Sequence, residues 1–212
     1  MTKGISIFLL LVAVATTSFA EEGKADQKPV VQNAPFQTKI GVIPPVVTEK
    51  YEYYEVCGIC EKDLQCDLKQ KCITWNDGKK YDSVTSWKIS WDYGYNNVAS
   101  TCKADSFIVN VEVIFRLPKW VRTDEAPKAL VDKWDTFVRN LLTHEKGHRD
   151  LAIAAAAELA RSVAELPPAP TCADLDKKVQ AMSHMSIKKL NEEEQQYDVT
   201  TDHGQTQGAV FP

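Results

Sequence analysis

The chain has 212 residues, with 25 Lys and Arg against 29 Asp and Glu, and a formal net charge of −4. That balance and a sequence pI near 5.6 leave no electrostatic case for nucleic acid or an anionic lipid surface as partner. The length and a hydrophobic content of 44% suit one domain with a sizeable core.

Residues 1–20 read as a secretory signal peptide. Lys3 supplies the positive start, residues 5–15 the apolar core, and Ser18-Phe19-Ala20 the small residues of a cleavage site. The apolar run is too short to span a bilayer, and no other segment reads as a membrane span. Loss of Lys3 with the signal takes the net charge from −4 to −5. The expected destination is the periplasm or the cell exterior. Residues 21–48 are polar, carry Pro29, Pro35, Pro44 and Pro45, and read as a flexible leader. A single domain is expected over residues 49–212.

Residues 51–56 form a short strand-like stretch, followed by Cys57, Cys60, Cys66 and Cys72. Six cysteines in an exported chain predict three disulfides: the cluster closed on itself, and Cys102 joined to Cys172. Cys57-Gly58-Ile59-Cys60 is a C-x-x-C, a pattern suited to metal binding or redox work. It shows no strand-to-helix setting in the sequence, so structural bridges are the expectation. The Lys69–Lys71 and Lys79-Lys80 clusters read as solvated faces.

Trp87, Ile89, Trp91 and Tyr93 alternate with Lys88, Ser90 and Asp92, the period of a half-buried strand. Phe107, Val109, Val111, Val113, Phe115 and Leu117 repeat that period, and residues 94–106 read as a long hairpin connection. The pattern then turns helical. Asp124 is a candidate cap for a helix over residues 124–166, with Pro127 in its first turns and a break near Thr143. A second helix is expected over residues 173–196, burying Leu175, Val179, Met182 and Leu190. Strands before helices predict an α+β fold, a small antiparallel sheet followed by two antiparallel helices in a zincin-like arrangement.

The first long helix carries His144-Glu145-Lys146-Gly147-His148, a complete H-E-x-x-H. Positions i and i+4 share a helix face, so both imidazoles can reach one zinc ion, with Glu145 as general base. Trp134, Phe137, Leu141, Ala152, Ala155 and Leu159 place both histidines on the apolar stripe. Two buried histidines satisfied by hydrogen bonds are the competing reading. Gly147 favours a functional setting, because glycine in a helix interior costs about 1 kcal/mol relative to alanine and suggests a close approach.

Helical rise bears on the third ligand. At about 1.5 Å per residue, an antiparallel second helix falls roughly 10 Å short of the motif at His184 and regains its level near Glu194. His203, just beyond the expected helix end, is the favoured third ligand, with Glu193 or Glu194 as alternatives. Tyr197 is a candidate oxyanion donor, and Asp198 or Asp202 can orient a histidine ligand.

Several pieces together resemble a bacterial family known as domain of unknown function 922, described as predicted secreted zinc-dependent proteases. They are Asp77-Gly78-Lys79-Lys80-Tyr81, Thr85-Ser86-Trp87, Trp91, Leu117-Pro118, Trp134, the H-E-x-x-H with Arg149-Asp150, Tyr197-Asp198, Thr201, His203-Gly204 and Gln207-Gly208. The resemblance spans about residues 70–212. It implies zinc held by His144 and His148 with Glu145 as base, and places His203 within a matching motif. The expected activity is a zinc metallopeptidase acting on a peptide or protein substrate. The competing classes are a non-catalytic metal-binding envelope module and a zinc hydrolase of cell-wall amide bonds.

Overall fold

The structure is a computed structural model, and it describes residues 41–75, 78–98 and 100–211. The expected signal peptide and most of the expected leader lie outside the described residues. Strand β1 (Val46–Val56) begins inside the stretch read as leader. Helix α1 (Glu61–Lys71) follows, then the two-residue strands β2 (Ile73–Thr74) and β3 (Lys80–Tyr81). The long strands β4 (Val84–Val98) and β5 (Thr101–Trp120) lead into helices α2 (Lys128–Ala164) and α3 (Cys172–Thr201), and a 3-10 turn covers Gln205–Gln207. No helix among the described residues is long and apolar enough to cross a membrane.

The main sheet runs in the order β1-β5-β4. β4 and β5 form an antiparallel hairpin, as the alternation predicted, but β1 pairs parallel to β5. The sheet is therefore mixed, not antiparallel. α1, the small β2–β3 sheet and β4 lie between β1 and β5 in the chain, a connection long enough to permit parallel pairing. The hairpin is also tighter than expected. Both strands continue through the stretch read as a connection, with an irregularity between Gly94 and Tyr95. A Cβ on Gly94 would meet the Asp105 and Ser106 side chains at 2.6 and 2.8 Å, so glycine permits the bulge.

One face of β5 buries Phe107, Val109, Val111, Val113, Phe115 and Leu117, and β4 adds Trp87, Ile89 and Trp91. The α2 stripe of Trp134, Phe137, Leu141, Ala152, Ala156 and Leu159 joins the same core. α2 starts at Lys128 rather than near Asp124, because Pro127 takes the N-cap position and the residue before a proline is disfavoured in a helix. It then runs 37 residues without a break; Thr143 Oγ1 donates to the Arg139 carbonyl 2.9 Å away, within the helix.

The α2–α3 loop is tied to the hairpin. Cys102 and Cys172 form a disulfide, as predicted, and Cys102 exchanges both backbone hydrogen bonds with Ala169 at 2.8 and 2.7 Å. A bridge across 70 residues constrains the unfolded chain by about 4 kcal/mol in the chain-entropy description. The cysteine cluster departs from expectation. Cys57, Cys60, Cys66 and Cys72 carry free thiols. α1 occupies the cluster, and its rise of about 1.5 Å per residue carries Cys60 and Cys72, at its two ends, too far apart to bridge. The C-x-x-C does have a strand-to-helix setting, since β1 ends at Val56 and α1 begins at Glu61.

Candidate metal centre

Thr171 caps α3, its side chain accepting from the Asp174 N–H at 3.1 Å. The helix runs to Thr201, five residues beyond its expected end. Its inward face reads Leu175, Val179, Ser183, Leu190, Glu194, Asp198 and Thr201, so a stripe that begins apolar ends acidic. Contacts Ala155–Ser186, His148–Glu194 and His144–Asp198 show α3 running back along α2. The two carboxylates therefore arrive opposite the H-E-x-x-H.

His144 Nε2, His148 Nε2 and Asp198 Oδ1 converge. The two imidazole nitrogens are 3.3 Å apart, and Asp198 Oδ1 lies 3.3 Å from one and 3.1 Å from the other. A tetrahedral zinc site with bonds of about 2.0–2.1 Å has ligand-to-ligand edges of about 3.3 Å. Among the described residues these three side chains are the group able to hold a metal ion. All three are buried.

The outer nitrogens show why a cation fits. His144 Nδ1 is 3.0 Å from Gln207 Oε1, and His148 Nδ1 is 3.3 Å from Glu194 Oε2, outside good hydrogen-bond alignment. Both outer partners are acceptors, so each Nδ1 carries the proton and each Nε2 presents a lone pair. Three lone-pair donors then face one point, and only a proton or a metal ion reconciles them. Charge gives the same answer. Glu145, Glu194 and Asp198 are 0%, 3% and 3% exposed, and buried carboxylates require compensation. Without a metal, His148 supplies it: burial opposes its charge, but Asp198 and Glu194 prevail and its pKa is pushed up to about 10. Burial likewise pushes Asp198 up, while the hydrogen bonds of His144 and His148 outweigh it and hold the carboxyl below the usual range.

Glu145 turns toward the sheet. Its two oxygens accept from Ser83 Oγ and Thr85 Oγ1, each at 2.6 Å, and all three residues are 0% exposed. Sequence reasoning named neither hydroxyl as part of the site; Thr85 stood in the family-like motif without a role. Tyr197 stacks on His144 with centroids 5.1 Å apart, and its hydroxyl donates to the His144 carbonyl at 3.2 Å and accepts from Gln207 Nε2 at 3.1 Å. A Cβ on Gly147 would fall inside this phenol, so the expected close approach is made by Tyr197.

His203 stands beside the group. Its Nδ1 is 3.7 Å from Asp198 Oδ2, the other oxygen of the carboxylate whose Oδ1 meets the imidazoles. Asp202 and His203 adopt φ of 46° and 52°, and Gly204 follows at 82°. Two consecutive non-glycine residues in the left-handed region carry strain. The turn brings Gly204 against His144, where a Cβ would meet the ring at 2.9 Å. Asp202 is the exposed C-cap of α3, Glu193 lies beside the inward stripe, and His184 is exposed. The signal for Asp198 was present: extending the α3 stripe by i+4 from Leu190 selects Glu194 and Asp198.

A sequence model of a family described as "Bacterial protein of unknown function (DUF922)" matches residues 51–204. No curated protein and no solved structure matches the chain.

Asp198→Asn should abolish stoichiometric zinc binding, while His203→Ala should keep at least half of it; metal analysis of the purified variants reads both. The metal-free protein should also show a pH signature. His148 has a raised folded-state pKa, so its stabilising charge is complete below about 6.5 and is lost as pH rises toward about 10. The melting temperature of chelated protein should fall across that window, and zinc saturation should flatten the fall.

Proposed function

Because the chain belongs to this bacterial family of unknown function over residues 51–204, its own site must carry the reading, and we propose a zinc-dependent metallopeptidase of the periplasm or cell exterior. The observation that carries it is a three-donor set with tetrahedral edges, next in sequence to a buried carboxylate. Structural zinc sites take four protein ligands, whereas catalytic ones keep a position open. Here His144, His148 and Asp198 would hold the ion, with Gln207 and Glu194 orienting the imidazoles. His203, the ligand favoured by helical rise, takes the place behind Asp198 in this reading. A sheet beneath an H-E-x-x-H helix, with a second helix returning across it, supports a zincin-like assignment.

A bound zinc ion supplies Lewis-acid polarisation and makes water nucleophilic near neutral pH. The chain supplies the proton traffic. Glu145 is the proton acceptor for the attacking water and the donor to the departing amine. Each of its oxygens accepts one hydroxyl bond and keeps a second lone pair. Ser83, just before β4, and Thr85, within it, fix its orientation without using its remaining capacity. Tyr197 holds Gln207 and the His144 carbonyl, so it positions a ligand rather than meeting an oxyanion.

One observation favours a second reading. His144 is 1% exposed, and His148 and Glu145 are 0% exposed, which suits a closed metal site in a non-catalytic envelope module. Glu145→Gln separates the two. It keeps the ligands and the shape of the side chain, so zinc content and melting temperature should stay near wild type. Hydrolysis of an unfolded protein substrate should drop by about 10²–10⁴-fold. Zinc-loaded wild type that cleaves nothing would leave the closed-site reading standing.

A further inference from the structure

We propose that Cys57 and Cys60 form a reversible dithiol–disulfide couple at the β1–α1 turn, oxidised by small-molecule or protein disulfides. Both residues are exposed with free thiols, and they flank the turn between β1 and α1. The turn is drawn onto one face of α1. The Cys57 N–H donates to Asp67 Oδ2 at 2.7 Å and the Ile59 N–H to Asp63 Oδ2 at 3.2 Å, while Trp120 Nε1 donates to the Gly58 carbonyl at 3.0 Å. A metal cage is the competing use of four cysteines. Among the described residues, however, no thiols gather closely enough to hold an ion.

The two thiols differ in their surroundings. Lys71 is held above the ordinary lysine range first by Asp67, with a further contribution from Cys57, so an ammonium lies within electrostatic reach of that sulfur. Asp63 is held below the ordinary range first by the Ile59 N–H and then by the Cys60 thiol, which donates to it. Cys60 is also the N-cap of α1. With its thiol hydrogen-bonded to Asp63, Cys60 is assigned the resolving role, and Cys57 attacks first.

The exchange balances. The Cys57 thiolate attacks one sulfur of an external disulfide, forming a mixed disulfide and releasing one thiolate. Cys60 loses its proton by way of Asp63 to solvent and attacks the Cys57 sulfur, releasing the second thiolate. The chain is oxidised by two electrons and the external disulfide is reduced to two thiols. The couple needs nothing from the metal centre and stands whether or not that centre is catalytic.

The test uses the whole protein in glutathione buffers of graded reduced-to-oxidised ratio, quenched by alkylation. Trypsin releases residues 51–62 as one peptide containing both thiols and no other cysteine. That peptide should pass from doubly alkylated to an unalkylated form two hydrogens lighter than the dithiol as the buffer becomes oxidising, and should return on reduction. Cys60→Ser should accumulate a glutathione adduct on Cys57, whereas Cys57→Ser should accumulate at least tenfold less on Cys60. Double alkylation at every ratio, a bridge to Cys66 or Cys72, or a bridge that never reopens would each overturn the proposal. Adducts confined to Cys60 would overturn it as well.

Discussion

Everything in this fold is arranged around three carboxylates and two imidazoles held out of water between α2, α3 and β4. Charges in a low-dielectric interior are tolerated only when each is met by a partner, and removing one partner is far more costly than exchanging a surface pair. Glu145 is met by two hydroxyls, Asp198 by two imidazoles, and Glu194 by the far side of one of them. The acidic excess that remains calls for a cation at the point where both Nε2 atoms meet Asp198.

The architecture serves that requirement with long, regular elements. α2 carries both histidines and Glu145 on neighbouring faces, so one helix addresses α3 with its imidazoles and the sheet with its carboxylate. α3 is anchored at its start by the Cys102–Cys172 bridge and closed at its end by the left-handed turn at Asp202 and His203. Gly147 lets the Tyr197 ring lie against α2, and Gly204 lets the turn close over His144. Each glycine sits where a methyl group would push a ligand-bearing element away.

Much of this was legible in the sequence because period and spacing are local properties. Alternation found β4 and β5, the helical stripe placed His144 and His148 inside, and the rise per residue brought Glu194 level with the motif. The mixed sheet was not legible: strand direction depends on a crossover, and β1 was partly hidden in a proline-bearing stretch. The end of α3 was set too early, at residue 196 instead of Thr201, and in the fold Glu194 and Asp198 are core positions. That shift of five residues put His203 forward as the third member, where the structure gathers Asp198 with the two histidines. The hydroxyls on Glu145 come from residues 60 and more positions away, and nothing in Ser83 or Thr85 alone marks them.

The most direct test is X-ray absorption spectroscopy of the zinc-loaded protein at the metal edge. The account predicts nitrogen and oxygen scatterers at about 2.0–2.1 Å, two of them imidazoles, with one zinc per chain. A sulfur shell at about 2.3 Å would place the metal on the cysteines instead and contradict the account.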